Sequence, residues 1–307
     1  MKVLHIIGGG DIGGAKTHVF SLIQKLQEKA TVTLVSLREG PFSQEAAACG
    51  IHTVVLPRSN PFSIWRTIDK MMKEEGYDLV HCHGGKANVV GAFLRLFCKR
   101  LVITTIHSDY RLDYLGNPIK QYTNGLLNTV ALRCLSGYVA VTDAMQCTLV
   151  ERGFDPYKIR NIYNGIDYTA QPEIKLDRAS FFEQLGFVVQ PHHVVMGIAG
   201  RLTKVKDMDT LIRAFAKAYV RDENLRLCIA GTGEDEQSLK KLAKSLGMED
   251  VICFAGWVSD MDSFFAAIDI NLLTSISETF PYVISFAVRA HVPCICSAVG
   301  GDRKSVV

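Results

Sequence analysis

The stretch Val3-Leu4-His5-Ile6-Ile7-Gly8-Gly9-Gly10-Asp11-Ile12-Gly13-Gly14 decides how the chain is read. A short run that is mostly apolar, Val3–Ile7, enters a glycine cluster and then a helix-period segment, Ala15–Glu28. Such a run without strict alternation suits a strand covered on both faces, as in a parallel sheet. Glycines at a helix N-terminus let backbone amides approach an anion without obstruction by Cβ. The same succession recurs at Val194–Ala199, followed by Gly200-Arg201-Leu202-Thr203-Lys204-Val205-Lys206-Asp207 and a helical pattern over Asp207–Tyr219.

Working outward, strands are expected near Thr31–Ser36, His52–Leu56, Asp78–Cys82, Leu101–Ile106, Tyr138–Val141 and Ile159–Ile162, with helices between them such as Ser63–Glu75. Asn164-Gly165-Ile166-Asp167 and the polar stretch through Asp177 interrupt this rhythm, as an interdomain linker does. The rhythm then restarts. Strands near Leu225–Gly231, Val251–Phe254, Asp269–Leu273 and Pro293–Ser297 alternate with helices at Glu234–Leu246, Asp260–Ala267 and Pro281–Ala290. The fold class is therefore α/β: two doubly wound, Rossmann-like parallel-sheet domains, 1–165 and 166–307. The second is expected to be truncated, because the chain stops at Val307 with no closing helices after the strand ending near Ser297.

Composition narrows the partners. The 307 residues are 48% hydrophobic, enough for two cores, and 34 Lys+Arg against 31 Asp+Glu give a formal charge of +3. That balance argues against a nucleic-acid binder. Nine cysteines without regular spacing read as reduced residues of a cytoplasmic protein, and the N-terminus does not read as a signal peptide. Val89–Ile106 carries Arg95, Lys99 and Arg100 and reads as a helix followed by a strand, not as a membrane span. Its segment Ala92–Arg100 is basic and apolar, which suits peripheral contact with a membrane, although a helix packed on a sheet has the same pattern.

Several loops carry candidate chemistry. Gly8, Gly10 and Gly13 match the dinucleotide fingerprint, but Ser36, Leu37 and Arg38 stand where its carboxylate belongs, which disfavours a dehydrogenase. Arg201 offers a planar fork and Lys206 a mobile point charge, a pairing suited to a pyrophosphate; a solvated basic loop is the plain alternative. Glu278, in Ser275-Ile276-Ser277-Glu278-Thr279-Phe280-Pro281, suits either helix capping or a sugar hydroxyl. His81, His83 and His107 fall at strand ends, the edge where ligands bind in open α/β sheets. A zinc group of His81, His83, His107 and Asp109 matches no structural-zinc spacing, so no metal is expected.

In order along the chain, these segments resemble the retaining glycosyltransferases of the family-4 type, which have the two-domain GT-B architecture. The resemblance runs through Gly13-Gly14 with His18, His83, His107, Asn164–Asp167 and Gly200-Arg201-Leu202 with Lys206. It continues through Ala230-Gly231-Thr232-Gly233-Glu234, Phe254-Ala255-Gly256-Trp257-Val258, Ser277-Glu278-Thr279-Phe280-Pro281 and Val299-Gly300-Gly301. It implies two domains facing across a cleft, the first binding the acceptor and the second a nucleoside diphosphate sugar. By the resemblance, Arg201 and Lys206 bind the diphosphate, while Glu278 and the amides of Thr279 and Phe280 hold the donor sugar. Gly13 and Gly14 lie beside diphosphate and sugar, His107 contacts the sugar, and the loop at Trp257 borders the base.

The implied reaction moves a sugar from a UDP- or GDP-sugar to a cell-envelope polysaccharide or lipid-linked acceptor, without a metal cofactor. Departures from the family pattern leave open a weakened or inactive relative, and a sugar-nucleotide epimerase, which shares the architecture, is a third reading. Phe286 replaces the second Glu of the pattern, Asp207 the Gly after the loop lysine, and Thr279 the Gly after Glu278.

Overall fold

The computed structural model describes residues 1–10, 13–56 and 61–300, the side chains of Pro61 and Phe62 excepted. Asp11 and Ile12 of the glycine loop, and Gly301 of the closing Val299-Gly300-Gly301 motif, lie outside the described residues. Contacts divide the chain into two compact units, Met1–Asn164 and Gly165–Val299.

The first unit holds a parallel sheet of seven strands: β1 (Lys2–Ile7), β2 (Thr31–Ser36), β3 (Thr53–Val55), β4 (Leu79–His83), β5 (Val102–Ile106), β6 (Gly137–Ala140) and β7 (Ile159–Asn161). Their order is β3-β2-β1-β4-β5-β6-β7, so the direction of winding reverses between β1 and β4. Leu4, Ile6, Val35, Val80, Cys82 and Val102 are buried in one core cluster, and Ile7, Val19, Ile23 and Leu34 in a second. Each valine, leucine or isoleucine among them contributes about 1.5–3 kcal/mol when fully buried. The expected strands of this unit are all present, β2 to the residue and the others within one residue at each end.

The second unit holds β8 (Val194–Ala199), β9 (Leu225–Ala230), β10 (Ile252–Gly256), β11 (Ile270–Leu273) and β12 (Cys294–Cys296), all parallel, in the order β10-β9-β8-β11-β12. Its winding reverses between β8 and β11. Phe182, Phe264 and Phe265 are the largest fully buried side chains. Phe182 belongs to a helix, Arg178–Gln184, that follows the polar stretch expected to act as a linker. The end of that stretch is not a free tether: the amides of Lys175 and Leu176 both donate to Ser263 Oγ at 2.9 Å.

Other helices were not legible from periodicity, among them Pro41–Ala48 and Leu126–Arg133. The helix expected from Asp207 begins at Met208, and that expected from Pro281 begins at Tyr282, with Asp207 and Pro281 as their N-caps. All nine cysteines are free, with Cys82, Cys228 and Cys253 buried and Cys49 and Cys147 exposed. Among the described residues, no helix is long and apolar enough to cross a membrane.

Candidate active site

Open α/β sheets bind ligands beyond the carboxyl ends of their strands, where the winding reverses. In the first unit that place is lined by histidine. His81 and His83, two apart on β4, share one face of the sheet, and the ladder sets His81 opposite His5 and His83 opposite Ile7. His107 follows β5, and His18 lies on the helix Gly14–Leu26. Rings connect in a chain: His5 Nδ1 lies 2.9 Å from His83 Nε2, and His83 Nδ1 lies 3.1 Å from His107 Nε2. His81 Nε2 is bonded to Thr105 Oγ1 at 2.7 Å.

Burial dominates the electrostatics here, because a charged imidazole loses its hydration inside the unit. Burial, reinforced by the His18 ring, pushes His5 and His107 down to about 3. It lowers His81 and His83 as well, helped by repulsion among the rings. Burial also lowers His18, against a bond with Asn164 that favours its charged form. These imidazoles are therefore neutral at pH 7.

Asp109, grouped in the sequence with three of these histidines as a weak zinc candidate, is committed elsewhere. Arg152 donates to both of its carboxylate oxygens at 2.7 Å. Burial opposes the charge of Asp109, but the bonds from Arg152 and from the Arg111 amide outweigh it and keep the carboxyl below its ordinary range. His5 escaped the sequence reading because nothing in an apolar strand announces which strand lies beside it. Gly13, the N-cap of its helix, has φ +76°, a left-handed conformation that glycine adopts without strain.

In the second unit, the loops leaving β8 and β11 meet at the winding reversal. The Ile276 amide donates to the Val205 carbonyl at 2.8 Å, and Thr274 Oγ1 donates to the Lys206 carbonyl at 3.0 Å. Lys206 Nζ forms an ion pair with Glu278 Oε1, and Ser275 Oγ donates to that same oxygen at 2.5 Å. Both charged side chains are largely shielded, Lys206 at 21% and Glu278 at 11% exposure. Glu278 is thus not the N-cap: Pro281 holds that position in the helix Tyr282–Arg289. Thr279 is buried beside it, and the Phe280 ring meets Tyr282 edge-on at 5.6 Å.

Arg201 is exposed, while its neighbour Leu202 is fully buried and anchors the loop. Backbone bonds stitch this loop to the turn after β9: the Gly200 amide donates to the Ala230 carbonyl at 2.9 Å, and the Leu202 amide to the Thr232 carbonyl at 3.0 Å. Gly231 makes the stitching possible. At φ +138°, a Cβ there would lie 1.9 Å from the Gly200 carbonyl oxygen. Asp207 has φ +48°, which explains why a glycine suits that position; Asp is among the side chains that tolerate it. Trp257 follows β10 and is half exposed. Phe286 packs with the apolar cluster of Phe181, Phe182 and Phe264, with the Arg289 guanidinium 5.3 Å from its ring centroid.

Two family models match the chain. Glycosyltransferase Family 4 matches residues 12–170, and Glycosyl transferases group 1 matches residues 180–307. An uncharacterized glycosyltransferase of Methanocaldococcus jannaschii is 29% identical over 269 residues, covering 80% of this chain and 66% of that protein. The Escherichia coli UDP-Gal:alpha-D-GlcNAc-diphosphoundecaprenol alpha-1,3-galactosyltransferase is 26% identical over 242 residues, covering 76% of this chain and 61% of the relative. The chain thus spans about three fifths to two thirds of the length of these curated relatives.

Among solved structures, Anabaena HepE in complex with UDP-glucose superposes with a TM-score of 0.83 at 24% identity, covering 100% of this chain and 83% of HepE. WaaG, a glycosyltransferase involved in lipopolysaccharide biosynthesis, superposes with a TM-score of 0.71 at 16% identity, covering 97% of this chain and 82% of WaaG. Two parallel-sheet units of the GT-B kind and a family model spanning more than half of its length show that the chain belongs to glycosyltransferase family 4.

Proposed function

We propose that the chain transfers a sugar, with retention, from a nucleoside diphosphate sugar to a cell-envelope polysaccharide or lipid-linked acceptor. The observation that carries this reading is the meeting of Lys206, Glu278 and Ser275 where the loops that leave β8 and β11 join, with Arg201 on the same loop after β8. The second unit binds the donor. Arg201 and Lys206 take the diphosphate, Glu278 accepts hydrogen bonds from sugar hydroxyls, the amides of Thr279 and Phe280 hold the sugar, and Trp257 borders the base. The first unit binds the acceptor, with His107 touching the transferred sugar and Gly13 and Gly14 approaching the donor. A neutral His107 suits hydrogen bonding to a hydroxyl.

Catalysis by these groups is placement and stabilisation of the departing diphosphate by fixed cations, so the transfer needs no metal. Uridine is the favoured base, because HepE is described in complex with UDP and UDP-glucose; GDP remains the alternative. A lipid-linked acceptor at the inner face of the membrane is favoured by the exposed apolar residues Ile119, Tyr122, Leu126 and Val130, three or four apart along Pro118–Arg133.

The test supplies labelled UDP-sugars alone, with a soluble oligosaccharide, or with a lipid-linked saccharide. A product that forms only with an acceptor supports the reading. Conversion of the donor without acceptor means an epimerase; no conversion in any arm means an inactive binding protein, the reading that Phe286 keeps open.

Glu278→Gln separates the two jobs of the carboxylate. It removes the charge that occupies Lys206 without ligand, so affinity for UDP alone is expected to rise about threefold to tenfold, on the order of 1 kcal/mol. Transfer is expected to fall by about tenfold to a hundredfold, the worth of a charge-assisted hydrogen bond of about 1.5–3 kcal/mol. Calorimetry with UDP and initial rates check both, and unchanged values would remove Glu278 from the donor site.

A further inference from the structure

We propose that His18, His83 and His107 form a binding site for a divalent transition metal of the zinc and cobalt class, and that its occupation silences the transferase. The metal-binding half stands on geometry alone; the silencing half rests on the role given above to His107. One ring nitrogen from each residue lies within 4.8 Å of the other two, and His83 Nδ1 and His107 Nε2 are already 3.1 Å apart. Tetrahedral zinc with metal–nitrogen bonds of about 2.0–2.1 Å spaces its ligands about 3.3 Å apart, so small ring rotations close the site. The His18 and His107 rings stand edge to face with centroids 4.7 Å apart.

His18 supplies an independent sign. Its side chain is 9% exposed, and although the Asn164 side chain lies near the ring, no well-aligned hydrogen bond reaches its Nε2 among the described residues. A buried, unpartnered imidazole nitrogen costs stability unless a ligand takes its lone pair or its proton.

The donor set states which ion it prefers. Three imidazoles and no carboxylate make a group of borderline softness, which favours zinc, cobalt, nickel and copper over magnesium or calcium. Three protein ligands leave a fourth position for water. His107 is half-buried where His83 is not exposed, so the ion has an approach from that side. The outer shell is also present. With Nδ1 on the metal, His83 carries its proton on Nε2 and donates it to His5 Nδ1 at 2.9 Å, which fixes ring and tautomer. The other histidine trio, His5, His81 and His83, is buried throughout, and His81 Nε2 is already engaged by Thr105. Once bound, the metal occupies the nitrogens of His107 and His83 and takes His107 away from the sugar.

The whole chain is titrated with cobalt(II) in the absence of any sugar or nucleotide, and the visible absorption of the low-symmetry cobalt centre is followed. One equivalent is expected to bind, to be displaced by zinc(II) and to resist magnesium. His18→Ala, and His18→Gln as a milder variant with its fold checked by thermal melting, are expected to weaken binding at least about tenfold. His192→Ala, on an exposed histidine, is expected to leave the spectrum alone. An absent spectrum, or one unaffected in both folded His18 variants, overturns the site. Failure of the transferase reading shows differently, as metal binding intact in a chain that transfers nothing. Zinc at saturation leaving an active chain at full rate, while cobalt still binds, overturns the silencing alone.

Discussion

Gly231→Ala is expected to remove nucleoside diphosphate binding and to destabilise the second unit by about 3 kcal/mol or more. Two effects combine. The backbone at φ +138° lies in a region that alanine adopts only with strain, of order 1–3 kcal/mol. In addition, the new Cβ would stand 1.9 Å from the Gly200 carbonyl oxygen, so backbone must move. What moves is the loop that carries Arg201, since the Gly200 and Leu202 amides are bonded to Ala230 and Thr232 on either side of the substitution. Urea unfolding followed through tryptophan fluorescence, with Trp257 in the affected unit, measures the loss of stability. Gly165→Ala, where a Cβ meets nothing within 4 Å, is the control and is expected to change neither property.

Arg201→Ala is expected to lower kcat/KM for the donor by about a hundredfold to a thousandfold, as removal of a single donor to a developing oxyanion does. Its stability should stay within about 0.5 kcal/mol of the parent, because the side chain is exposed and Leu202 anchors the loop. That separation matters. A drop in rate without a drop in melting temperature assigns the loss to the ligand, not to the fold. Arg201→Lys should recover little, since an ammonium cannot reproduce the bidentate fork on two phosphate oxygens. Initial rates over a range of donor concentrations check both variants, and parental rates would remove Arg201 from the diphosphate site.

Much of the fold was legible because parallel strands announce themselves. β2 and β8 match the expected Thr31–Ser36 and Val194–Ala199 to the residue: β8 is a mainly apolar run between His193 and Gly200, and β2 sets Val32, Leu34 and Val35 among Thr31, Thr33 and Ser36. Pro41–Ala48 and Leu126–Arg133 were not legible, because tertiary contact rather than a long amphipathic period holds them in place.

At the candidate site, residue types were readable but their partners were not. Lys206 and Glu278 were each singled out, yet their ion pair spans 72 residues and exists only because β8 and β11 are neighbours. The same reason hid His5, whose bond to His83 depends on β1 lying beside β4. The partner of Asp109 was hidden in the same way: Arg152 is 43 residues away and leaves no local trace. The glycine at 231 was visible as a motif, but only the closeness of the Gly200 carbonyl gives it a job.

Every donor-side role proposed above depends on recognition of a nucleoside diphosphate by the second unit through the loops after β8 and β11. Thermal melting of the parent chain and of Arg201→Ala, each with UDP, GDP and ADP, measures this directly. A ligand that binds only the folded form stabilises it by about 2.7 kcal/mol at a hundredfold excess over Kd. The predicted result is a rise in melting temperature of the parent with UDP or GDP that is absent from Arg201→Ala. A parent that none of these nucleotides stabilises, or a shift equally large in Arg201→Ala, would contradict it.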